Sequence, residues 1–245
     1  MKLRVAVGAV AMTLVAAACG GDSQSDIDVA ISRPAAGATV DGNVVTLDVA
    51  ATNFEIVKAD GNTSGRSGHF HVFIDREPVK AGDTIPAAPD VIHSADDPIR
   101  IAGLTRGKHT LTVVLGDGMH KRVGDHAATR MVEVTGPTVT ATAPAFSPAD
   151  KPVPLQLAVE GVTIVKADGD ASGATGHFHV FIDKEPVKAG EAVPQGDPAI
   201  IHTTATSLDL PPLAAGDHEI WVVVGNGNHV ALDPPVMANV KIKAS

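Results

Sequence analysis

Histidine is the residue whose type and spacing in this sequence could do chemistry. Ten of the eleven histidines form five matched pairs between the two halves of the chain, and His126 is the odd one. The pairs are His69/His177, His71/His179, His93/His202, His109/His218 and His120/His229. Neutral imidazole is a common ligand of zinc and copper. The segments 83–108 and 191–217 have diverged while keeping their histidines, which favours use of these residues over recent duplication alone.

The pairing follows from an internal repeat. Residues 68–82 recur at 176–190, and only Arg76 against Lys184 differs. A period of about 108 residues is the length of a whole domain rather than of a solenoid repeat. We therefore predict two tandem domains, a first unit at 28–137 and a second unit at 138–245, with the junction inside the Pro- and Thr-rich stretch 136–152.

The sequence pattern of each unit predicts an all-β domain. Val45, Leu47 and Val49 alternate with polar residues, as do Leu111 and Val113, and no segment keeps a helical period. About seven short strands in a domain of this size are typical of an immunoglobulin-like β-sandwich. The predicted fold is thus two tandem immunoglobulin-like β-sandwich domains after a signal peptide.

The His-Phe-His motif lies on a predicted strand, where side chains two residues apart point to the same face. If Phe70 and Val72 face the core, His69 and His71 point outward together, at a spacing that one metal ion can bridge. In such a sandwich the loop 116–120 should lie beside His69.

His93, expected after an edge strand, can reach the same end, whereas His109 should lie at the opposite end. The predicted metal ligands are His69, His71, His93 and His120, and equivalently His177, His179, His202 and His229. The expected ion is copper or zinc, with copper bound more tightly. The alternative is that these histidines only form hydrogen bonds to backbone carbonyls, or respond to pH.

A second motif precedes the histidines. Residues 60–65 and 168–173 resemble the first half of a calcium loop, but His71 and His179 stand where a bidentate Glu is required. The residues are also common turn formers, so a simple loop is the better interpretation.

The N-terminus predicts export. Lys2 and Arg4 precede an apolar run of about 14 residues, too short for a transmembrane helix, and Cys19 follows as in a bacterial lipobox. We expect a signal peptide at 1–18, lipidation at Cys19 and a polar tether at 19–27. The protein would then be held at the outer face of a cell membrane or in the periplasm by its lipid alone.

Composition excludes several classes of function. Cys19 is the only cysteine, so the mature chain lacks disulfides and thiolate metal sites. The net charge of −9, without basic runs, argues against nucleic acid. No serine-hydrolase elbow, cysteine nucleophile, His-Glu-x-x-His motif or phosphate loop is present, so we do not expect an enzyme.

Several spaced motifs resemble one bacterial family. They are the Gly-His-Phe-His-Val-Phe-Ile-Asp segments that begin at Gly68 and Gly176, a Pro-containing loop, and the segments 107–120 and 216–229. Together they resemble domain of unknown function 4399. The resemblance implies export and a β-sandwich-like fold, and it implies no particular activity.

Two functions are compatible with these observations. The first is an envelope-anchored, non-catalytic metal-binding module with a His-x-His cluster in each repeat. The second is a structural or adhesive module without metal, for which scattered histidines and an exposed apolar patch are expected. The sequence identifies no protein partner.

Overall fold

The computed structural model describes residues 27–245, and all regular structure in that range is β-strand. The signal peptide, Cys19 and most of the tether lie outside the described residues. The first unit contains nine strands: β1 (Asp28–Arg33), β2 (Ala38–Asp41), β3 (Val45–Thr52), β4 (Glu55–Ile56), β5 (Ser67–Ile74), β6 (Val91–Ser94), β7 (Ile99–Ile101), β8 (Gly107–Asp117) and β9 (Arg122–Thr135).

The second unit repeats this order. Its strands are β10 (Thr138–Thr142), β11 (Phe146–Ser147), β12 (Val153–Glu160), β13 (Thr163–Ile164), β14 (Thr175–Ile182), β15 (Ile200–Thr203), β16 (Ser207–Leu210), β17 (Gly216–Asn226) and β18 (Met237–Ala244). Nine strands per unit exceed the predicted seven because short segments, such as β4 and β13, add parallel pairings at the sheet edges.

Each unit is a sandwich of two sheets. In the first unit a three-stranded sheet, β1-β3-β7, faces a six-stranded sheet in which β2-β9-β8-β5-β4 are neighbours and β6 also pairs with β5. The second unit has the same plan, with β10-β12-β16 facing β11-β18-β17-β14-β13 and β15 paired with β14. The predicted all-β fold of two sandwich-like halves is confirmed.

The alternation of side chains fills the space between the sheets. Phe70, Val72, Leu47 and Leu111 are buried in the core of the first unit, and the second unit has an equivalent core around Phe178 and its neighbours. The predicted inward face of the His-Phe-His strand is therefore correct, and the histidines lie on the opposite face of the larger sheet.

That opposite face is also covered. Phe73 packs there with Ile85, Val91 and Val114, in a second, smaller core under the loop between β5 and β6. In consequence His69 and His71, which the alternation pattern placed at an outward surface, are buried, with exposed fractions of 4% and 0%. Sequence alternation cannot show this, because a loop without periodicity supplies the cover.

The two units contact each other directly. The fully buried Asn43 donates from Nδ2 to the carbonyl of Val139 (2.6 Å) and accepts the backbone N–H of Met237 at Oδ1 (2.9 Å). Nearby, the Arg100 guanidinium lies 4.4 Å from the centre of the Trp221 ring. Within residues 27–245 no helix is long and apolar enough to cross a bilayer.

Candidate metal centre

Strand pairing brings three of the four predicted histidines of the first unit together. His69 and His71 project from β5, and His71 lies directly opposite His93 of β6 in the antiparallel register. His93 was expected in a connection after the edge strand. It lies within β6 itself, because this short strand adds to the exposed edge of β5.

A strained turn supplies the fourth histidine. His120 has a φ of 60°, in the left-handed region, and its backbone N–H donates to the carbonyl of Asp117 (3.0 Å). The buried Asp117 carboxylate also accepts the N–H groups of Met119 and Lys121, both at 2.9 Å. The side chain of Asp117 thus shapes the loop that presents His120.

The second unit builds the same turn with an amide. The side-chain oxygen of Asn226 accepts the N–H groups of Asn228 (2.9 Å) and Val230 (3.1 Å), and His229 has a φ of 61°. Only an oxygen acceptor is common to Asp117 and Asn226. The turn therefore requires the acceptor rather than the negative charge.

The calcium-like loop braces this turn. The Asp60 carboxylate accepts the backbone N–H of Asn62 (2.9 Å), which is an ordinary turn, and the Asn62 carbonyl accepts the N–H of Gly118 (2.8 Å). A Cβ at Gly118 would lie 2.3 Å from Asp60 Oδ1. Residues 60–65 therefore act as a support for the His120 loop.

The four rings of the first unit form a closed quadrilateral. The ring centres are separated by 4.4 Å (His69–His71), 4.5 Å (His71–His93), 4.9 Å (His93–His120) and 4.9 Å (His69–His120) along its sides. The diagonals are 6.1 Å (His69–His93) and 5.7 Å (His71–His120). The site prediction required His120 to approach His69, and it does.

The second unit repeats this geometry. Its sides are 4.4 Å (His177–His179), 4.7 Å (His179–His202), 5.2 Å (His202–His229) and 4.6 Å (His177–His229), and its diagonals are 6.3 and 5.7 Å. In each cluster, one ring nitrogen from every histidine lies within 4.8 Å of the other three. Each cluster can therefore hold a metal ion after a small contraction.

The most buried rings have nitrogens that face no partner. Among the described residues, both nitrogens of His71, His177 and His179, and Nδ1 of His69, are buried without a well-formed hydrogen bond. The polar contacts nearby are weak ones, of His71 with the backbone of His69 and of His179 with that of Val223. An unpaired buried polar atom costs about 1–3 kcal/mol, so seven such atoms in two clusters are unusual for a relaxed hydrogen-bonding role. A bound cation would satisfy one nitrogen of each ring.

Burial also keeps these imidazoles neutral. Desolvation, followed by repulsion from neighbouring histidines, lowers the pKa of His69 to about 4, that of His71 to about 2 and that of His179 to about 3. The same causes lower the pKa of His93, His177 and His229. These six rings therefore offer lone pairs to a metal at neutral pH.

Backbone carbonyls orient the half-buried members. Nε2 of His93 faces the carbonyl of Pro86 (3.4 Å), and Nε2 of His202 faces that of Pro194 (3.2 Å). A carbonyl only accepts, so Nε2 carries the proton and Nδ1 is free to bind a metal. An outer carbonyl of this kind is the usual partner of a metal-bound histidine.

Two glycines make room for the deepest rings. A Cβ at Gly116 would lie 2.3 Å from Cε1 of His71, and a Cβ at Gly225 would lie 2.5 Å from Cε1 of His179. The imidazoles therefore lie directly against the backbone of the neighbouring strand. Sequence reasoning did not assign this role, although the glycines recur in both copies next to the histidine loop.

Two of the three remaining histidines, His109 and His218, show what satisfied rings look like. His109 faces Asp75 Oδ2 (2.6 Å) and the carbonyl of Thr105 (2.8 Å), at the opposite end of the sheet, as predicted. His218 has the same arrangement with Asp183 (2.6 Å), and this carboxylate raises the pKa of His218. Both nitrogens of these rings are engaged, so the hydrogen-bonding alternative describes this pair.

Similarity to solved structures is low in both sequence identity and TM-score. Fibronectin(III)-like modules of CbhA from Clostridium thermocellum are 17% identical over 88% of this chain and 94% of that chain, with a TM-score of 0.27. A putative membrane anchored protein from Corynebacterium diphtheriae is 11% identical over 87% of this chain and 58% of that chain, with a TM-score of 0.26. Such low scores carry no functional argument.

Sequence comparison places both units in one family. No curated protein matches the chain. The family described as Domain of unknown function (DUF4399) matches residues 47–136 and again 155–244, which is more than half of the chain and includes all eight clustered histidines. The chain therefore belongs to the DUF4399 family and carries two tandem copies of its domain.

Proposed function

We propose that this protein is an envelope-anchored module that binds one transition-metal ion in each of its two histidine clusters. One observation carries the proposal: in each cluster four imidazoles converge, and the buried ones have nitrogens without hydrogen-bond partners among the described residues. Hydrogen bonding explains His109 and His218 and does not explain these rings.

Ligand chemistry favours copper over zinc. The ring centres of each cluster form a puckered quadrilateral with four short sides and two longer diagonals, which lies between a tetrahedron and a flat square. A tetrahedral zinc ion and a distorted tetragonal Cu²⁺ ion both fit such a set of nitrogens. Copper binds nitrogen ligands more tightly than zinc does.

The role would be binding rather than catalysis. Four protein ligands would hold the ion, and sequestration, sensing or delivery in the envelope needs nothing further from the protein. The apolar run before Cys19 supports export and attachment through lipid. The net charge of −9 disfavours a nucleic acid partner. Clustered rather than scattered histidines disfavour the purely adhesive alternative.

The test is the metal content of the purified protein, made without a histidine tag and compared with a variant of the half-buried ligands. His93→Gln, His120→Asn, His202→Gln and His229→Asn spare the buried core, and Asn tolerates the left-handed backbone at 120 and 229. We expect two equivalents of copper in the native protein and a loss of both in the variant. A native protein that retains no metal and binds none tighter than about 1 μM would contradict the proposal.

A further inference from the structure

The second histidine cluster opens into a cleft. A cavity of about 300 Å³ is lined by three of the four rings, His177, His202 and His229, together with Lys166, Thr203 and Thr204. The fully buried His179 forms the floor of the cluster and does not line the cleft. The cleft therefore lies on the solvent side of the ring quadrilateral.

Four imidazoles leave an ion that accepts five or six ligands with a position that no protein group fills. The rings of the second unit form a puckered quadrilateral, with diagonals of 6.3 and 5.7 Å and sides of 4.4 to 5.2 Å. Because three of these rings line the cleft, such a position would be reached from the cleft. An ion at this site can therefore take a further ligand from solution without displacing a histidine.

The charge of the site selects the sign of that ligand. Neutral imidazoles leave a divalent ion with its full charge, and the positively charged Lys166 lines the cleft. The carboxylate near His177 is that of Asp168, which accepts the Thr175 hydroxyl (2.9 Å) and the Asp170 N–H (3.0 Å) and keeps its negative charge. A divalent ion and Lys166 together outweigh this carboxylate, so an anion would be attracted.

We propose that the metal bound in the second unit takes a small anion, an oxyanion or a carboxylate, as an additional ligand in this cleft. Lys166 pairs with the charge of the anion, and the hydroxyls of Thr203 and Thr204 donate hydrogen bonds to its oxygens. This inference rests on the proposed metal binding and adds a second ligand class to the same site.

The two copies differ in these donors. The counterpart of Lys166 is Lys58, but Ser94 and Ala95 stand where the second unit has Thr203 and Thr204. One of the two hydroxyls is therefore missing from the first copy. We expect the anion to bind more weakly there.

The test uses copper and azide, whose charge-transfer absorption appears only when azide binds Cu²⁺. The protein carries His93→Gln and His120→Asn, so that the signal comes from the second unit. We expect saturable azide binding at one site, weakened at least about threefold by Lys166→Gln, with copper stoichiometry unchanged. The matched control is Lys243→Gln, which removes an exposed ammonium near Asp217, at the far end of β17.

The outcomes separate the two proposals. Copper bound in full without an azide signal, or azide binding unaffected by Lys166→Gln, would overturn the anion site and leave metal binding intact. A failure to bind copper would overturn both. Displacement of azide by phosphate but not by acetate would identify an oxyanion as the natural ligand class, and the reverse order would identify a carboxylate.

Discussion

Histidines in this protein differ in what their ring nitrogens face. Those of His109 and His218 face carboxylate and carbonyl oxygens, whereas those of His71 and His179 are buried among the other histidines of their own clusters. Because the same chain contains both kinds, each kind is a control for the other. A substitution should affect metal binding only in the clusters.

The first prediction compares one residue of each kind. His93→Gln removes a ligand and should lower the affinity of the first site at least about tenfold, since loss of even an outer partner of a ligand costs 10–100-fold. His218→Gln should leave the affinity of both sites unchanged. Competition with a chromogenic chelator measures both, and equal effects of the two substitutions would contradict the assignment.

The second prediction concerns acid. The pKa values of His69, His71 and His179 are lowered in the folded protein, so the unfolded chain binds more protons below its pKa of about 6.5. The contribution of these rings to the stability of the metal-free protein is therefore full above pH 6.5 and is lost as the pH falls toward the folded-state values. At pH 5 the loss is up to about 2 kcal/mol for each ring.

Urea denaturation at pH 7.5 and pH 5 tests this sign. The midpoint for the metal-free protein should fall at pH 5, and a variant with His71→Phe and His179→Phe should show a smaller fall. Equal midpoints of the native protein at the two pH values would mean that the rings are not desolvated as described.

At the scale of the element, the turn between β8 and β9 decides whether four ligands meet. Asp117 holds this turn in the first unit and Asn226 holds it in the second, through the same two backbone N–H groups. The pair shows which chemical feature the turn requires. The negative charge of Asp117 is not needed.

The third prediction follows from that comparison. Asp117→Asn should retain metal affinity at the first site within a few-fold, whereas Asp117→Ala should lower it about 10–100-fold by releasing His120. The second site is the internal reference in both variants. An equal loss in Asp117→Asn and Asp117→Ala would show that the charge matters and that the turn is not the cause.

The strands, and the face that each side chain points to, could be predicted where polar and apolar side chains alternate strongly. The inward positions of Val45, Leu47, Phe70 and Leu111 follow from period-two patterning, and so does the shared face of His69 and His71. The edge strand that carries His93 is four residues long and gives little pattern. The cover over the histidines comes from an aperiodic loop, so the burial that perturbs their pKa values could not be predicted.

At the scale of the whole molecule, the repeat predicts two sites. It does not predict the contact between the units, because the residues that form this contact differ between the two copies. The Arg100 guanidinium packs on the ring of Trp221, and the counterpart of Trp221 in the first unit is Thr112. Asn43 connects the units through two backbone groups. Sequence patterning gives no signal for a contact made by one turn and one sheet face.

The fourth prediction separates this interface from metal binding. Asn43→Leu leaves the Val139 carbonyl and the Met237 N–H without their partner, at a cost of about 1–3 kcal/mol for each group. Thermal unfolding should shift downward while two metal ions still bind. A loss of metal stoichiometry in this variant would show that the sites depend on the interface.

The most direct test of the central claim is electron paramagnetic resonance of the copper-loaded protein after gel filtration. We predict two equivalents of tetragonal Cu²⁺ with hyperfine coupling to imidazole nitrogens, and the loss of one equivalent when His93 and His120 are replaced. Copper that elutes apart from the protein, or a retained signal with oxygen ligands only, would contradict the account.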